Sequence, residues 1–298
     1  MPSDTDILIV GGGPAGCAAA VMASSLGMRS VLIEPGELAH KLHNISSTVN
    51  VLGGFATGRD LAVRISDDVN KADACEVLRG ERATAVRTTG ETVSVELTSG
   101  AVYRAPYAVV ATGVRPQATT ETDWITQDGE VGLKALWEAD ASELDGAELL
   151  VLGIDRPLGT MLRTHADLDM RLLVLYSTAE QYKADEIRTD KRVVLLPTSQ
   201  LELFHDRDGV LHLRAVADTG EDRTFVGHHT YLNLGSRPVV LEGVRTNGSG
   251  YCPPELQHER ILIAGDLRAA RYQRIMTAFG SGAEAALKAY YALNDVPG

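Results

Sequence analysis

The sequence predicts an α/β fold of two Rossmann-like three-layer domains, the first of them discontinuous and the smaller second one inserted in it. Residues 6–20 have the pattern of a strand, a glycine turn and a helix, and residues 148–159 start a second unit of the same kind. Near the end, residues 260–266 form an apolar strand that precedes a helix rich in alanine and glycine. Strand and helix patterns that alternate in this way indicate βαβ units around a mostly parallel sheet.

The first turn carries glycines at positions 11, 13 and 16, which fit the spacing G-x-G-x-x-G. Gly11 would make the tight turn, Gly13 would let a pyrophosphate approach the backbone, and Gly16 would let the helix pack closely on the strand. The helix would then point its N-terminal amides at the phosphates. Glu34 closes a second strand at a distance that suits a ribose hydroxyl. An ordinary glycine-rich loop is the alternative, and the flanking strand and helix favour a dinucleotide site.

The domain boundaries follow from where these units begin and end. The first domain is predicted to comprise residues 1–115 and 243–298, and the inserted domain residues 116–242. The stretch from 116 to 147 is acidic and rich in loop residues. Further strands are predicted at residues 83–86, 92–97 and 108–113 of the first domain, and at 171–175, 192–196, 200–204, 210–215 and 229–234 of the second.

Composition excludes several classes of function. The chain has 298 residues, 44% of them hydrophobic, and a formal net charge of −12. This charge and the lack of a basic block argue against a nucleic acid as partner. No apolar run approaches the roughly 18 residues of a membrane span, and the N-terminus does not have the pattern of a secretion signal. We therefore expect a cytoplasmic protein without a membrane partner.

The cysteines are Cys17, Cys75 and Cys252, which lie far apart in sequence and form no C-x-x-C pair. A disulfide framework is not expected with this number of cysteines in a cytosolic chain. Cys17 follows the last glycine of the first turn, where a helix N-terminus can lower the pKa of a thiol. Packing as a small apolar residue is the favoured interpretation for Cys17. Cys75 is predicted at the start of a strand and Cys252 in a loop.

Segments that occur in order along the whole chain resemble the thioredoxin-reductase-like flavoproteins of the two-dinucleotide-binding-domain group. These segments are the first glycine turn, the Ala-Thr-Gly of residues 111–113, the second turn near Gly153, and residues 265–282, which begin with Gly-Asp. The resemblance implies that the two ends of the chain together build one FAD site. It also implies that the protein forms a homodimer.

The resemblance assigns residues to that FAD site. Asp266 would lie by the ribityl chain or the pyrophosphate, and the amides around Met276 and Thr277 would stabilise negative charge on the reduced flavin. The order Gln273-Arg274 is the reverse of the usual one. The cofactor-binding residues that the resemblance implies are Gly11, Gly13, Pro14, Ala15, Gly16, Glu34, Asn50, Ala111, Thr112, Gly113, Gly265, Asp266, Gln273, Arg274 and Ile275.

The sequence departs from the family pattern at the two groups that usually exchange electrons with such a flavin, the dithiol and NADPH. The C-x-x-C that usually precedes the second turn is missing, since residues 133–141 hold no cysteine. Because a thiolate must attack a disulfide and a second thiol must resolve the product, thioredoxin reduction by the family route is excluded. In the second turn, Asp155 would repel a pyrophosphate and Pro157 removes an amide donor, and the next strand ends in Tyr-Ser-Thr at 176–178 instead of basic residues. We therefore expect that NADPH is not bound in the usual manner.

The segment after the second strand supplies the candidate catalytic residues. The usual Gly-Gly-Gln-Leu is replaced by Ala-His-Lys-Leu-His-Asn at 39–44, and residues 49–55 look more like the small dithiol-oxidase branch of natural-product pathways. His40, Lys41 and His43 fall where the family chain passes the flavin. They would donate a proton, tune the flavin or bind substrate, and a polar surface loop is the alternative.

The favoured hypothesis is an FAD-dependent oxidoreductase without a dithiol and without NADPH use, which oxidises a small molecule or exchanges electrons with a small redox protein or O₂. A ferredoxin- or flavodoxin-coupled NAD(P) reductase is a second hypothesis, because it needs no C-x-x-C, although the altered second turn counts against it. A third is a non-catalytic FAD-binding sensor or interaction protein. No metal site is expected, because the pair His228-His229 has no evident third ligand.

Overall fold

The described residues of this computed structural model, 5–45, 48–139 and 141–295, separate into two units. Residues up to Arg115 together with those from Pro238 onward form the first unit, and Pro116–Arg237 form the second. Within these described ranges, no helix combines the length and the apolar character that crossing a membrane requires.

The elements follow one another in the order of the chain. The first segment comprises β1 (Ile7–Val10), α1 (Pro14–Ser25), β2 (Ser30–Glu34), the 3-10 helix His40–Asn44, α2 (Gly58–Asn70), β3 (Cys75–Arg79), β4 (Ala83–Thr89), β5 (Thr92–Leu97), β6 (Val102–Ala105) and β7 (Tyr107–Val110). β8 (Val114–Pro116) leads into the second unit, which comprises β9 (Ile125–Gln127), β10 (Lys134–Ala135), α3 (Ala141–Leu144), β11 (Glu148–Leu152), α4 (Pro157–Thr164), β12 (Arg171–Ser177), the 3-10 helix Thr178–Glu186, β13 (Val193–His205), β14 (Leu211–Ala217), β15 (Asp222–Val226) and β16 (Thr230–Leu232). β17 (Ser236–Pro238) leads back to β18 (Ile261–Ile263) and α5 (Ile275–Leu293).

The first unit is built on a parallel sheet with the strand order β18-β7-β1-β2-β3. Because side chains alternate across a strand, Ile7 and Ile9 of β1 pack into the core formed with α1, α2 and α5. Leu8 and Val10 pack on the opposite face, in a core shared with the antiparallel sheet β4-β5-β6. Helices, parallel sheet and antiparallel sheet therefore form the predicted three layers.

The second unit repeats the parallel core with the strand order β10-β16-β11-β12-β13-β14-β15. The strands from β10 to β13 pair in parallel, whereas β14 and β15 extend the sheet as antiparallel strands. Leu149 and Val151 of β11 pack with α4, and Leu150 and Leu152 pack in a second core on the other face. The predicted fold class, α/β with a Rossmann-like sheet in each unit, is confirmed.

Some predicted strand boundaries are wrong. The sequence predicts separate strands at 192–196 and 200–204, but the structure has one strand, β13, with a register shift between Thr198 and Gln200. The polar residues there mark a bulge in the pairing with β14 and do not end the strand. The strand predicted at 108–113 ends at Val110. The helix α2 was not predicted, although Thr57 and Asp60 form a capping box at its start.

Candidate functional site

The glycines of the first turn each meet a different physical requirement. Gly11 has a φ of +102°, its amide donates to the Ile33 carbonyl oxygen at 2.9 Å, and a Cβ there would lie 2.5 Å from the Ala111 carbonyl oxygen. A Cβ on Gly16 would overlap the carbonyl oxygen of Gly11, so α1 packs closely on the turn. At Gly13, no atom of the described residues lies within 4 Å of where a Cβ would stand. A phosphate can therefore approach the backbone at Gly13.

The first turn of α1 offers backbone amides to an anion. Gly13 is the N-cap residue in an extended conformation, and Pro14 is the first helical residue, followed by Ala15 and Gly16. The first amides of a helix have no partner within the helix, and Gly13 has no side chain with which to bond them. Together with the positive end of the helix dipole, these residues form the corner of the site that suits a phosphate.

Glu34 is fixed at the edge of this corner by backbone amides. Its Oε2 accepts a hydrogen bond of 2.6 Å from the Gly12 amide, and its Oε1 accepts one of 2.9 Å from the Gly36 amide. Each carboxylate oxygen retains a lone pair for a further donor, because an ionised carboxylate has about four acceptor positions. Glu34 is thus oriented to accept hydrogen bonds from ribose hydroxyls at the turn.

The late segment of the chain packs directly against the start of α1. Gly265 has a φ of +71°, its amide donates to Ser281 Oγ at 2.9 Å, and a Cβ there would lie 2.9 Å from the Ala15 Cβ. A Cβ on Gly282 of α5 would overlap the Ala15 carbonyl oxygen. Both glycines therefore permit the close approach that brings Asp266 beside the turn.

Lys41 and Asp266 lie near enough to influence each other's protonation. Burial raises the pKa of the half-buried Asp266 carboxyl, and the positive charges of Lys41 and Arg274 oppose this rise. Desolvation by the surrounding protein lowers the pKa of the Lys41 ammonium, although part of the residue is exposed to solvent. The negative charges of Asp266 and Glu34 oppose this fall. The Lys41 ammonium also donates a hydrogen bond to the Val114 carbonyl oxygen. The site therefore combines two carboxylates with one ammonium.

The two histidines of the candidate catalytic set flank this ammonium on the 3-10 helix His40–Asn44. Their rings stack with centroids 6.3 Å apart, and His40 is exposed while His43 is half-buried. Ala39, which precedes the helix, adopts a φ of +55°, a left-handed conformation that turns the chain toward the site. The structure therefore places His40, Lys41 and His43 on one short segment.

The Ala-Thr-Gly segment lies against the first turn and against Lys41 of this helix. Ala111 lies against Gly11, and Thr112 Oγ1 donates to the Val239 carbonyl oxygen at 2.5 Å. A Cβ on Gly113, which has a φ of +66°, would lie 4.0 Å from the Lys41 Nζ. The structure therefore brings Gly113 and Lys41 together.

Asn50 occupies a different position from the other assigned residues. It is exposed in a turn between Thr48 and Phe55, where Thr48 Oγ1 donates to the Phe55 carbonyl oxygen at 2.5 Å. The sequence assigned Asn50 to the cofactor from its resemblance alone, and its role there stays a prediction.

Gln273 supports the segment that joins Asp266 to α5. Its amide nitrogen donates to the carbonyl oxygens of Asp266 at 3.3 Å and Ala269 at 3.1 Å, and it lies 3.3 Å from the Tyr251 hydroxyl. Arg274 is the N-cap residue of α5, and Ile275 begins the helix and packs against the hydrophobic core. Gln273 therefore shapes the backbone around Asp266 and the start of α5.

This set of groups fits the phosphates and a ribose of a dinucleotide such as FAD. The open space at Gly13, the free amides of α1 and the oriented carboxylate of Glu34 match an adenosine diphosphate. Ser281, Gly282 and Tyr251, which hold the late segment in place, were not assigned from the sequence. Their contacts join positions far apart in the chain, which no local pattern reveals.

The second turn keeps the backbone of the first but not its open space. Gly153 has a φ of +98°, its amide donates to the Leu175 carbonyl oxygen at 2.8 Å, and a Cβ there would lie 2.5 Å from the Asn233 carbonyl oxygen. Asp155 follows at the position that corresponds to Gly13, and its Oδ1 lies 3.3 Å from the Lys183 Nζ. The sequence predicts that Asp155 would repel a pyrophosphate, and the structure adds that Lys183 pairs with this carboxylate.

The cysteine thiols are held in their protonated form. Burial, together with the charge of Glu34, raises the pKa of Cys17 to about 12, and its Sγ donates to the Gly12 carbonyl oxygen at 3.1 Å. Burial raises the pKa of Cys252 to about 11, and it also raises that of Cys75. Because the thiolate is the reactive form, these positions do not favour thiol nucleophiles.

Among the described residues there is no group of three or more histidine, cysteine or acidic side chains that could hold a metal ion. His228 and His229 are both exposed just before β16.

Comparisons with known proteins extend these observations. Residues 5–120 match the family model described as pyridine nucleotide-disulphide oxidoreductase. Over 96% of its length the chain is 24% identical to a subunit of the alkyl hydroperoxide reductase of Staphylococcus aureus (strain MSSA476) and 26% identical to an NADH dehydrogenase of Bacillus subtilis (strain 168). It spans 58% of the length of each of these relatives.

A solved structure agrees with the fold over nearly the whole chain. The thioredoxin reductase of Lactococcus lactis superposes with a TM-score of 0.80 at 19% identity, covering 98% of this chain and 99% of that one. The resemblance predicted from the sequence is confirmed by these matches. The chain has the thioredoxin-reductase-like fold, and its residues 5–120 carry the sequence pattern of the pyridine nucleotide-disulphide oxidoreductase family.

Proposed function

We propose that this protein is an FAD-dependent oxidoreductase that uses neither an active-site dithiol nor NADPH. The observation that carries the proposal is the convergence of Gly13, Glu34 and Asp266 at the start of α1 in one unit. The sequence contains no C-x-x-C, and the second turn differs from the first at the position of Asp155. Similarity to an NADH dehydrogenase and to a subunit of alkyl hydroperoxide reductase supports redox chemistry.

In this proposal, bound FAD supplies the capacity to accept and release electrons. The amides of Gly13, Ala15 and Gly16 would bind the pyrophosphate, and Glu34 would accept hydrogen bonds from the ribose of the adenosine half. Asp266 would lie by the ribityl chain or the pyrophosphate. The amides at the start of α5, around Met276, would stabilise negative charge on the reduced flavin.

Lys41 is the candidate for tuning the redox centre. Its ammonium lies beside Gly113, and the charges of Asp266 and Glu34 favour its protonated form, so Lys41 places a positive charge in the site. A fixed positive charge near a redox group stabilises the more negative form of that group. His40 and His43, on the same short helix, are candidates for proton exchange with substrate, because imidazole nitrogens can donate and accept protons.

The electrons come from a small-molecule substrate or a small redox protein, and O₂ is an available acceptor.

We also propose a homodimer, on the basis of the resemblance. Light scattering coupled to size-exclusion chromatography measures the mass of the assembly against that of the 31.9 kDa chain.

The test begins with the visible spectrum of the purified protein and identification of the released flavin. NADPH and NADH are then titrated anaerobically, with dithionite as the control that shows the flavin can be reduced. We expect bound FAD that dithionite bleaches at once and that neither nucleotide bleaches rapidly. Rapid bleaching by either nucleotide would instead support a ferredoxin- or flavodoxin-coupled NAD(P) reductase.

The sensor hypothesis makes a different prediction. It requires tight FAD binding without turnover and without an effect of changes at His40 or Lys41. Steady-state oxygen consumption with candidate reductants, measured for the parent protein and for His40→Ala, separates the two. Loss of consumption in the variant at unchanged FAD content supports the enzyme.

A further inference from the structure

The chain contains two copies of one nucleotide turn, and the copies differ in what fills the space beside the backbone. Gly11 and Gly153 share a positive φ, of +102° and +98°. Each amide bonds the end of the following strand, at 2.9 Å to Ile33 and at 2.8 Å to Leu175. The backbone of the second turn therefore retains the form that binds a dinucleotide in the first.

A side-chain carboxylate stands in the second turn where a phosphate would bind. Asp155 corresponds in sequence to Gly13, where a Cβ would have no atom of the described chain within 4 Å. The Asp155 carboxylate lies 3.3 Å from the Lys183 Nζ, and Lys183 also pairs with Glu180 at 2.5 Å. The three side chains are at most about a quarter exposed, with 26% for Asp155, 15% for Lys183 and 27% for Glu180.

A second acidic side chain fills the space beside α4. A Cβ on Gly159, in the first turn of that helix, would overlap Glu186, and Glu186 in turn pairs with Arg163 at 3.0 Å. Lys183 and Arg163 are therefore engaged by carboxylates of the same unit. Arg156, in the turn itself, is exposed.

Acidic side chains line the small cavity that remains beside the second turn. The cavity lined by Asp155, Gly159, Lys183 and Glu186 has a volume of about 130 Å³. This is below the roughly 300–1,000 Å³ that is typical of sites for drug-sized ligands.

We propose that Asp155 and Glu186 are specificity-determining residues that close the second unit to dinucleotides, with Lys183 holding Asp155 in the place of a phosphate. This inference rests on the proposed function, because it gives the structural cause for the lack of NADPH use. It differs from simple loss of a motif, since a turn that is blocked by an internal ion network can be opened by removing the blocking groups.

The test is a gain of binding in the full-length protein. NADP⁺ and NAD⁺ are titrated calorimetrically into the parent and into the variant Asp155→Gly/Glu186→Ala, with FAD in excess so that the first turn is occupied. We expect no detectable binding by the parent at about 1 mM ligand, and dinucleotide binding by the variant with a dissociation constant of about 0.1 mM or lower, at least about tenfold below that limit. The matched control is Glu221→Gln, which removes one negative charge from an exposed ion pair of the same unit. It should leave binding absent.

A folded, flavin-loaded double variant that binds neither dinucleotide overturns the proposal, and so does a parent protein that binds as tightly as the variant. If the double variant does not fold, the single variant Asp155→Ala takes its place, and the same absence of gain then overturns it. Flavin content is read from the absorbance of each sample. Missing flavin in the parent contradicts the proposed function, whereas missing dinucleotide binding in a flavin-loaded variant contradicts only this inference.

Discussion

The carboxylate of Glu34 accepts a hydrogen bond of 2.6 Å from the backbone amide of Gly12, so the acid that we propose as the ribose ligand is oriented by the turn itself. Orientation before binding lowers the conformational entropy that the Glu34 side chain loses when a ligand binds. We predict that Glu34→Ala raises the dissociation constant of FAD about tenfold or more, because a charged acceptor at the turn is lost. Quenching of flavin fluorescence on binding to apoprotein measures this constant. Glu37→Gln, at an exposed neighbouring position, is the control, and equal affinities of the two variants would contradict the prediction.

The close contact between α5 and α1 requires glycine at position 282 but not at position 280 of the same helix. A Cβ on Gly282 would overlap the Ala15 carbonyl oxygen, whereas a Cβ on Gly280 meets no described atom within 4 Å. We predict that Gly282→Ala lowers the free energy of unfolding by at least about 2 kcal/mol through overpacking. Gly280→Ala should leave this free energy unchanged or raise it by up to about 1 kcal/mol, since alanine favours a helix. Urea unfolding of both variants measures the difference, and a loss of similar size in both would refute the packing argument.

Cys17 should make stability dependent on pH in the alkaline range. The pKa of its buried thiol is about 12 in the folded protein, against an ordinary value of 9.0. A raised pKa means that the folded state holds the proton more tightly, so this stabilisation is complete below pH 9 and is lost as the pH rises toward 12. We predict that the parent loses about 1.4 kcal/mol per pH unit above pH 9 relative to Cys17→Ala.

Urea unfolding at about pH 8, 9, 10 and 10.5 measures the free energy of unfolding of both proteins. A change of one pH unit should alter their difference by about 1.4 kcal/mol, which such an experiment can detect. Other groups titrate in the same range, but they do so in both proteins and cancel in the difference. A constant difference in the free energy of unfolding from pH 8 to pH 10.5 would show that Cys17 does not retain its proton in the folded state.

Lys41 should raise the reduction potential of the flavin. Its ammonium lies beside Gly113 and shares the site with Asp266, and reduction adds negative charge to the flavin. We predict that Lys41→Met lowers the midpoint potential by roughly 20–40 mV, which corresponds to about 1–2 kcal/mol for two electrons. Potentials are measured against reference dyes during anaerobic reduction. Lys71→Met, at the exposed end of α2, should leave the potential unchanged, and an equal shift in both variants would exclude a local effect of Lys41.

The sequence was informative wherever the relevant residues are neighbours in the chain. The strand, turn and helix around Gly11 and the acid at Glu34 follow from spacing alone, because glycine at these positions has steric reasons that hold in any such turn. The identity of the late segment at Asp266 came from resemblance. The structure supports this assignment through the packing of Gly282 on Ala15. These positions are far apart in the sequence, and no local pattern shows that they are in contact.

The sequence was least informative about charges. No local pattern identifies Lys183 as the partner of Asp155, because Lys183 lies in a separate 3-10 helix after the next strand. The same limit applies to β13, where the polar residues near Thr198 mark a bulge that only the pairing with β14 reveals. Side-chain pairing across a sheet or between elements is a property of the folded chain.

The protonated state of the thiols also affects how readily the cysteines would be oxidised by hydrogen peroxide. If the proposed flavin returned electrons to O₂, it would produce hydrogen peroxide. Peroxide oxidises thiolates far faster than thiols, and a cysteine with a pKa near 12, such as Cys17 beside the first turn, has almost no thiolate at neutral pH. The burial that makes Cys17 unsuitable as a redox partner would then also protect this thiol from oxidation.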